Sequence, residues 1–105
     1  MSQTCHSMKE GEVLNASHGN YPLFEAVLYG DRVSTAKLSK RLGCAIKHLP
    51  IRVRFTFEYD TQKAVEQGIA KDPTLVLDGK IFLEGLPEAE HMTKVFKNIL
   101  RNSIP

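Results

Sequence analysis

Apolar and polar positions follow no regular period from residue 1 to residue 20, a stretch that closes on the polar run "NASHGN". From Leu23 the pattern tightens. "LFEAVLYG" is apolar on both faces apart from Glu25 and lies between Pro22 and Gly30, so it predicts a central strand over 23–30. In "STAKLSKRLGCAIKHL" the residues Leu38, Leu42, Ala45, Ile46 and Leu49 recur at helical spacing. They predict a helix over 34–49, capped by Ser34 or Thr35 and stopped by Pro50. "IRVRFTFE" alternates strictly: Ile51, Val53, Phe55 and Phe57 point one way, Arg52, Arg54, Thr56 and Glu58 the other. This is a strand over 51–58 with one wet face, expected near a sheet edge. "DTQKAVEQG" predicts a short helix over 61–67 with Asp60 or Thr61 as its cap and Gly68 as its close. "PTLVLDGKIFLEG" reads as strands 74–78 and 80–84 around Asp78-Gly79, a hairpin dipeptide. Met92, Val95, Phe96, Ile99 and Leu100 give the apolar stripe of a last helix over 87–102.

The order is β-α-β-α-β-β-α. Two strands joined through a helix run parallel with a right-handed crossover, and the closing hairpin is antiparallel. The expected fold is α/β, a four-stranded mixed sheet flanked by helices. The chain of 105 residues is long enough for one such core and no more, so residues 1–22 are expected as a flexible N-terminal tail and 23–105 as the domain.

Charge and cysteine content narrow the functions. A net charge of +2 is too small to call for nucleic acid. Seven basic residues and no acid lie between Arg32 and Arg54, which reads as a solvated face or an anion-attracting patch. No apolar run reaches the length of a membrane span, and the polar leader lacks the apolar core of a secretory signal, so a cytoplasmic location is expected. Cys5 and Cys44 are too few and too far apart for a disulfide framework or a zinc site, and are expected as free thiols with Cys44 exposed. His6, His18, His48 and His91 follow no ligand spacing, and no dinucleotide or phosphate-loop pattern occurs, so no metal and no cofactor are called for.

The element order, together with "DPTLVLDGKIFLEGLPEAEHM" at 72–92, resembles the small, glutaredoxin-sized thioredoxin-like domains. The resemblance spans residues 23–102 and is most specific in that C-terminal stretch. It implies that Pro73 follows a cis peptide bond and leaves backbone groups of Asp72 free to pair with an extended peptide or a thiol ligand. It also implies that the chemistry of the fold sits where the first strand meets the first helix. There a C-x-x-C pair places a thiolate at a helix N-terminus, whose free N–H groups and dipole lower its pKa. The corresponding stretch is Val33-Ser34-Thr35-Ala36, and no cysteine stands between Cys5 and Cys44. Hydroxyls cannot cycle between thiol and disulfide.

The leading expectation is therefore a binding or structural module without redox activity. Its groove would use Arg32, Val33, Ser34, Thr35, Ala36, Asp72 and Pro73, and no residue is assigned as catalytic. The expected partner is a protein or peptide, or a small thiol- or carboxylate-bearing ligand, since Arg32 and the helix start favour anions. The alternative is a thiol–disulfide oxidoreductase or glutathione-using enzyme with an atypical site. A third expectation is a homo-oligomer paired through the 51–58 edge.

Overall fold

The structure, a computed structural model, describes residues 7–103. Its elements are β1 (Val13–Leu14), β2 (Leu23–Tyr29), α1 (Arg32–Ile46), β3 (Arg52–Glu58), α2 (Thr61–Glu66), β4 (Thr74–Leu77), β5 (Lys80–Glu84) and α3 (Ala89–Ser103). The sheet has five strands in the order β1-β3-β2-β4-β5, one more than the pattern from Leu23 onward predicts. β2 runs parallel to β3 and antiparallel to β4, and β4 and β5 form the expected hairpin. At its tip Asp78 and Gly79 both take positive φ, 49° and 85°, as a two-residue turn matched to strand twist requires.

The alternation along the strands decides which face is packed. Ala26 and Leu28 on β2, Val53 and Phe55 on β3, and Leu75 and Leu77 on β4 meet Leu38, Leu42 and Ile46 of α1 and Met92 and Phe96 of α3 in one core. Fully burying each large side chain of this set stabilises the fold by about 1.5–3 kcal/mol before entropy is counted. Thr93 Oγ1 donates to the Ala45 carbonyl at 3.0 Å and pins α3 to α1. On the other face, Glu25 and Arg54 are register partners and form an ion pair at 2.7 Å. That pairing accounts for the one acid in an otherwise apolar strand. α2 buries none of its residues.

The fifth strand comes from the stretch expected as a tail. Val13 and Leu14 pair antiparallel with Arg54 and Val53. Gly11 N–H donates to the Phe55 carbonyl at 2.7 Å, and Phe55 N–H to the Glu12 carbonyl at 2.9 Å. Met8 is buried in the core, and its N–H donates to Ser39 Oγ on α1 at 3.0 Å. β3 is consequently not an edge strand along this stretch, and the expected pairing between copies through 51–58 finds its hydrogen-bonding groups taken there by the chain itself.

The first helix begins two residues earlier than predicted and ends at Ile46. Its cap is Asp31, not Ser34 or Thr35, and the Asp31 carboxylate accepts the Ser34 N–H at 2.7 Å. Asp60 caps α2 by accepting the Gln62 N–H at 2.9 Å.

The basic run divides, and one further expectation is corrected. Lys37 and Lys40 are exposed on α1, as a solvated helix face requires, while three arginines are bonded within the chain. Arg41 Nη1 donates to the Leu86 carbonyl at 2.8 Å, Arg52 Nε donates to the Tyr21 carbonyl at 2.9 Å, and Arg54 is paired with Glu25. Cys44 is half-buried and disulfide-bonded, not a free exposed thiol; its partner lies outside the described residues, as do Cys5 and His6. Among the described residues no cysteine is free.

Candidate functional site

β2 and β3 are parallel, so both end on the same side of the sheet, at Tyr29 and Glu58. In open α/β sheets the crevice beyond the carboxyl ends of the strands is where ligands are held. Here the chain turns from β2 through Gly30 into the cap Asp31 and the first turn of α1. The loop carrying Asp72 and Pro73 comes up beside it, with a cis peptide bond between these two residues. The two segments are joined by direct bonds. Asp31 N–H donates to both carboxylate oxygens of Asp72 at 3.3 Å, and the Ser34 hydroxyl donates to Asp72 Oδ1 in a short hydrogen bond.

Gly30 makes this approach feasible. Its φ is +145°, and a Cβ at this position would lie 2.1 Å from Asp72 Oδ1 and 3.2 Å from Pro73 Cα. No side chain fits between the end of β2 and the Asp72 carboxylate.

Two carboxylates of the chain itself thus stand at the helix start. Asp31 takes the Ser34 amide, and Asp72 takes the Asp31 amide and the Ser34 hydroxyl. The Ser34 amide, followed by the Ser34 hydroxyl, holds the Asp31 carboxyl below its ordinary value against the opposing effect of desolvation. These two carboxylates stand at the helix start for which an anionic partner is expected.

The predicted groove residues divide accordingly. Ser34, Asp72 and Pro73 come together with Asp31 and Gly30. Val33 is 66% exposed beside them. Thr35 is fully buried, and its hydroxyl donates to the Asp31 carbonyl at 2.7 Å, which makes it part of the helix and not of a binding surface. Arg32 lies over the Tyr59 ring, 4.4 Å from its centroid. Arg32, Thr35 and Ala36 line a separate hollow with Met8 and Phe57.

Between the ends of β2 and β3, α2 and the Asp72 loop lies a cavity of about 260 Å³. Tyr29, Tyr59, Val65 and Ile69 give it apolar walls, and Asp31, Asp60, Lys71 and Asp72 its charges. Tyr59 and Val65 stay 42% and 66% exposed, large for apolar side chains in a small protein. The sequence reading missed this cavity. Its signal was Tyr59, directly after a strand and before a helix cap, where an apolar side chain has no core to enter.

A solved structure has the same arrangement of elements. The crystal structure of thioredoxin from Aeropyrum pernix superposes with a TM-score of 0.54 at 18% identity, over 88% of this chain and 96% of that one. The fold is thioredoxin-like. No protein-family model matches the chain, and no curated protein matches it by sequence. Within this thioredoxin-like fold, the helix start carries Asp31 and Ser34 three residues apart, both bonded to the Asp72 loop. No C-x-x-C pair stands anywhere in the sequence. Among the described residues no helix is long and apolar enough to cross a membrane.

Proposed function

We propose that this thioredoxin-like protein is a binding module that docks an extended segment in the cleft between the α1 start and the Asp72–Pro73 loop, and that it performs no dithiol–disulfide exchange. The observation that carries the reading is the pair Asp31 and Ser34. These residues occupy the face of the helix start that meets the loop, where exchange chemistry needs a thiolate. A carboxylate and a hydroxyl in those places can hold hydrogen bonds but cannot attack a disulfide. Asp72 itself has no backbone hydrogen bond within the described chain, so its N–H and C=O are available to an added strand. The disulfide at Cys44 offers no attacking sulfur in its oxidised form, and a cytoplasmic home would require that bond to withstand the reducing thiol pool.

The test is reduction of insulin disulfides with dithiothreitol as the electron source. Wild-type protein is expected to match the rate of dithiothreitol alone. A faster rate that vanishes in Cys44→Ser would establish the oxidoreductase alternative and remove this proposal. A glutathione-dependent rate measured with glutathione in place of dithiothreitol would do the same.

A further inference from the structure

The charges around the cleft give its occupant a sign opposite to the one a bare helix start would select. Three carboxylates line the cavity, from Asp31, Asp60 and Asp72, against one lysine, Lys71. The neighbouring Lys63 is turned to Glu58 at 3.6 Å. At the α1 start the Asp31 carboxylate accepts the Ser34 amide, and Asp72 accepts the Asp31 amide just before the helix, so two carboxylates stand where a bare helix start would draw anions. An acidic ligand would meet three acids and one lysine among the lining residues. A cationic one meets three acids at close range.

The walls select for an apolar body as well. Tyr29, Tyr59, Val65 and Ile69 are all present, and the Tyr59 ring already receives one guanidinium, that of Arg32. The molecule itself therefore demonstrates a cation on this ring. Arg32 and Tyr59 also line the hollow beside Met8, whereas the cavity between Tyr29 and Val65 includes Tyr59 without Arg32. The cavity falls below the roughly 300–1,000 Å³ of pockets that enclose whole small molecules, and is of a size for one or two side chains. The acids are not grouped as metal ligands among the described residues. With the Asp72 backbone unpaired beside it, the cavity suits a side chain delivered by an extended main chain.

We infer that the cleft receives a basic, amphipathic peptide segment, with a lysine or arginine among Asp31, Asp60 and Asp72 and a neighbouring apolar side chain against Tyr59 and Val65. This rests on the reading of the cleft as a docking groove and adds the charge of what docks there.

The experiment titrates the full chain, labelled for amide NMR, with three short peptides that alternate leucine with lysine, with serine or with glutamate. The lysine peptide is expected to shift the amides of Tyr29–Asp31, Tyr59–Val65 and Asp72, with an affinity that weakens as salt is raised. The glutamate peptide is expected to leave them unmoved. In the variant Asp31→Asn/Asp60→Asn both helix caps are retained, because asparagine caps as well as aspartate. Affinity for the lysine peptide should fall by about tenfold, as the loss of two exposed ion pairs implies. If the serine or glutamate peptide binds the same amides as tightly as the lysine peptide, the charge inference is overturned and the groove reading stands. If no peptide moves the Asp72 and Tyr59 amides, or the lysine peptide moves others instead, the groove reading falls and the inference with it.

Discussion

A glycine at φ +145°, 2.1 Å from a carboxylate oxygen if it had a Cβ, leaves little room for substitution at position 30. Gly30→Ala must displace the Asp72 side chain and press on the Pro73 backbone at 3.2 Å, in a conformation that L side chains rarely adopt. The expected loss is roughly 1–3 kcal/mol from the backbone conformation alone, read as a lowered urea midpoint. Adding Asp72→Ala should recover part of it, because one of the two contacts disappears, and the two effects should be non-additive. Asp31 contributes in a pH-dependent way. Its carboxyl is held below the ordinary value in the folded chain, chiefly by the Ser34 amide. A group whose pKa is depressed on folding stabilises the folded state above its unfolded value and loses that contribution as pH falls through the folded one. The acid limb of stability should therefore be shallower in Asp31→Asn than in wild type when urea midpoints are compared from neutral pH down to about pH 3. An unchanged acid limb would show that this cap does not favour the charged form.

At the scale of elements, β2, β3, the hairpin and all three helices were legible because each carries its own local signal: strict alternation in 51–58, a 3.6-residue stripe in α1 and α3, and Asp78-Gly79 at the turn. β1 was not legible. Two residues, Val13 and Leu14, are too short to show a period, and they form a strand only because β3 offers them an edge. Asn15 helps to fix the register from outside any element. It adopts φ 61°, and its side-chain amide donates to the Leu49 and Ile51 carbonyls at 3.3 and 3.0 Å. The start of α1 was misplaced for a related reason. Asp31, Ser34 and Thr35 are all good caps in sequence, and in the fold the role falls to Asp31, whose own amide is held by Asp72. Met8 tests whether the added strand is integral to the domain. It is core-buried, and Met8→Ala should cost about 2–5 kcal/mol, as truncation of a packed methionine does. A variant as stable as wild type would mean that the N-terminal segment contributes nothing to the core, and the domain would then begin at Leu23.

At the scale of the whole molecule, the expected exchange positions Val33 and Ala36 and the residues bonded to the Asp72 loop lie at the same end of α1 but not on the same face. Val33 and Ala36 have the spacing of an exchange pair, but Val33 projects to solvent and Ala36 lines the hollow beside Met8. Asp31 and Ser34 are the residues bonded to the Asp72 loop, a long-range fact that no local pattern contains. Placement and function can be tested together by converting that face into a working one. Asp31→Cys/Ser34→Cys puts two thiols three residues apart at the start of α1, where the helix dipole favours a thiolate. On oxidation this variant should form a disulfide between positions 31 and 34, detected by mapping its proteolytic peptides, whereas Val33→Cys/Ala36→Cys should form one less completely. Reduction of insulin by the 31/34 variant should exceed background but stay slow, because the Asp72 carboxylate beside the new thiols opposes the thiolate and raises its pKa. Adding Asp72→Ala removes that charge and should accelerate exchange by about threefold, since one pKa unit raises the thiolate population near neutral pH up to about tenfold while lowering each thiolate's nucleophilicity. Loss of the Asp31 cap lowers stability by about 0.5–2 kcal/mol, so each variant is first checked for cooperative unfolding. A folded 31/34 variant that forms no disulfide would mean that these two positions do not share the face assigned to them. A triple variant no faster than the double would show that Asp72 does not set the electrostatics of the cleft, and with that the charge preference inferred for its occupant would lose its ground.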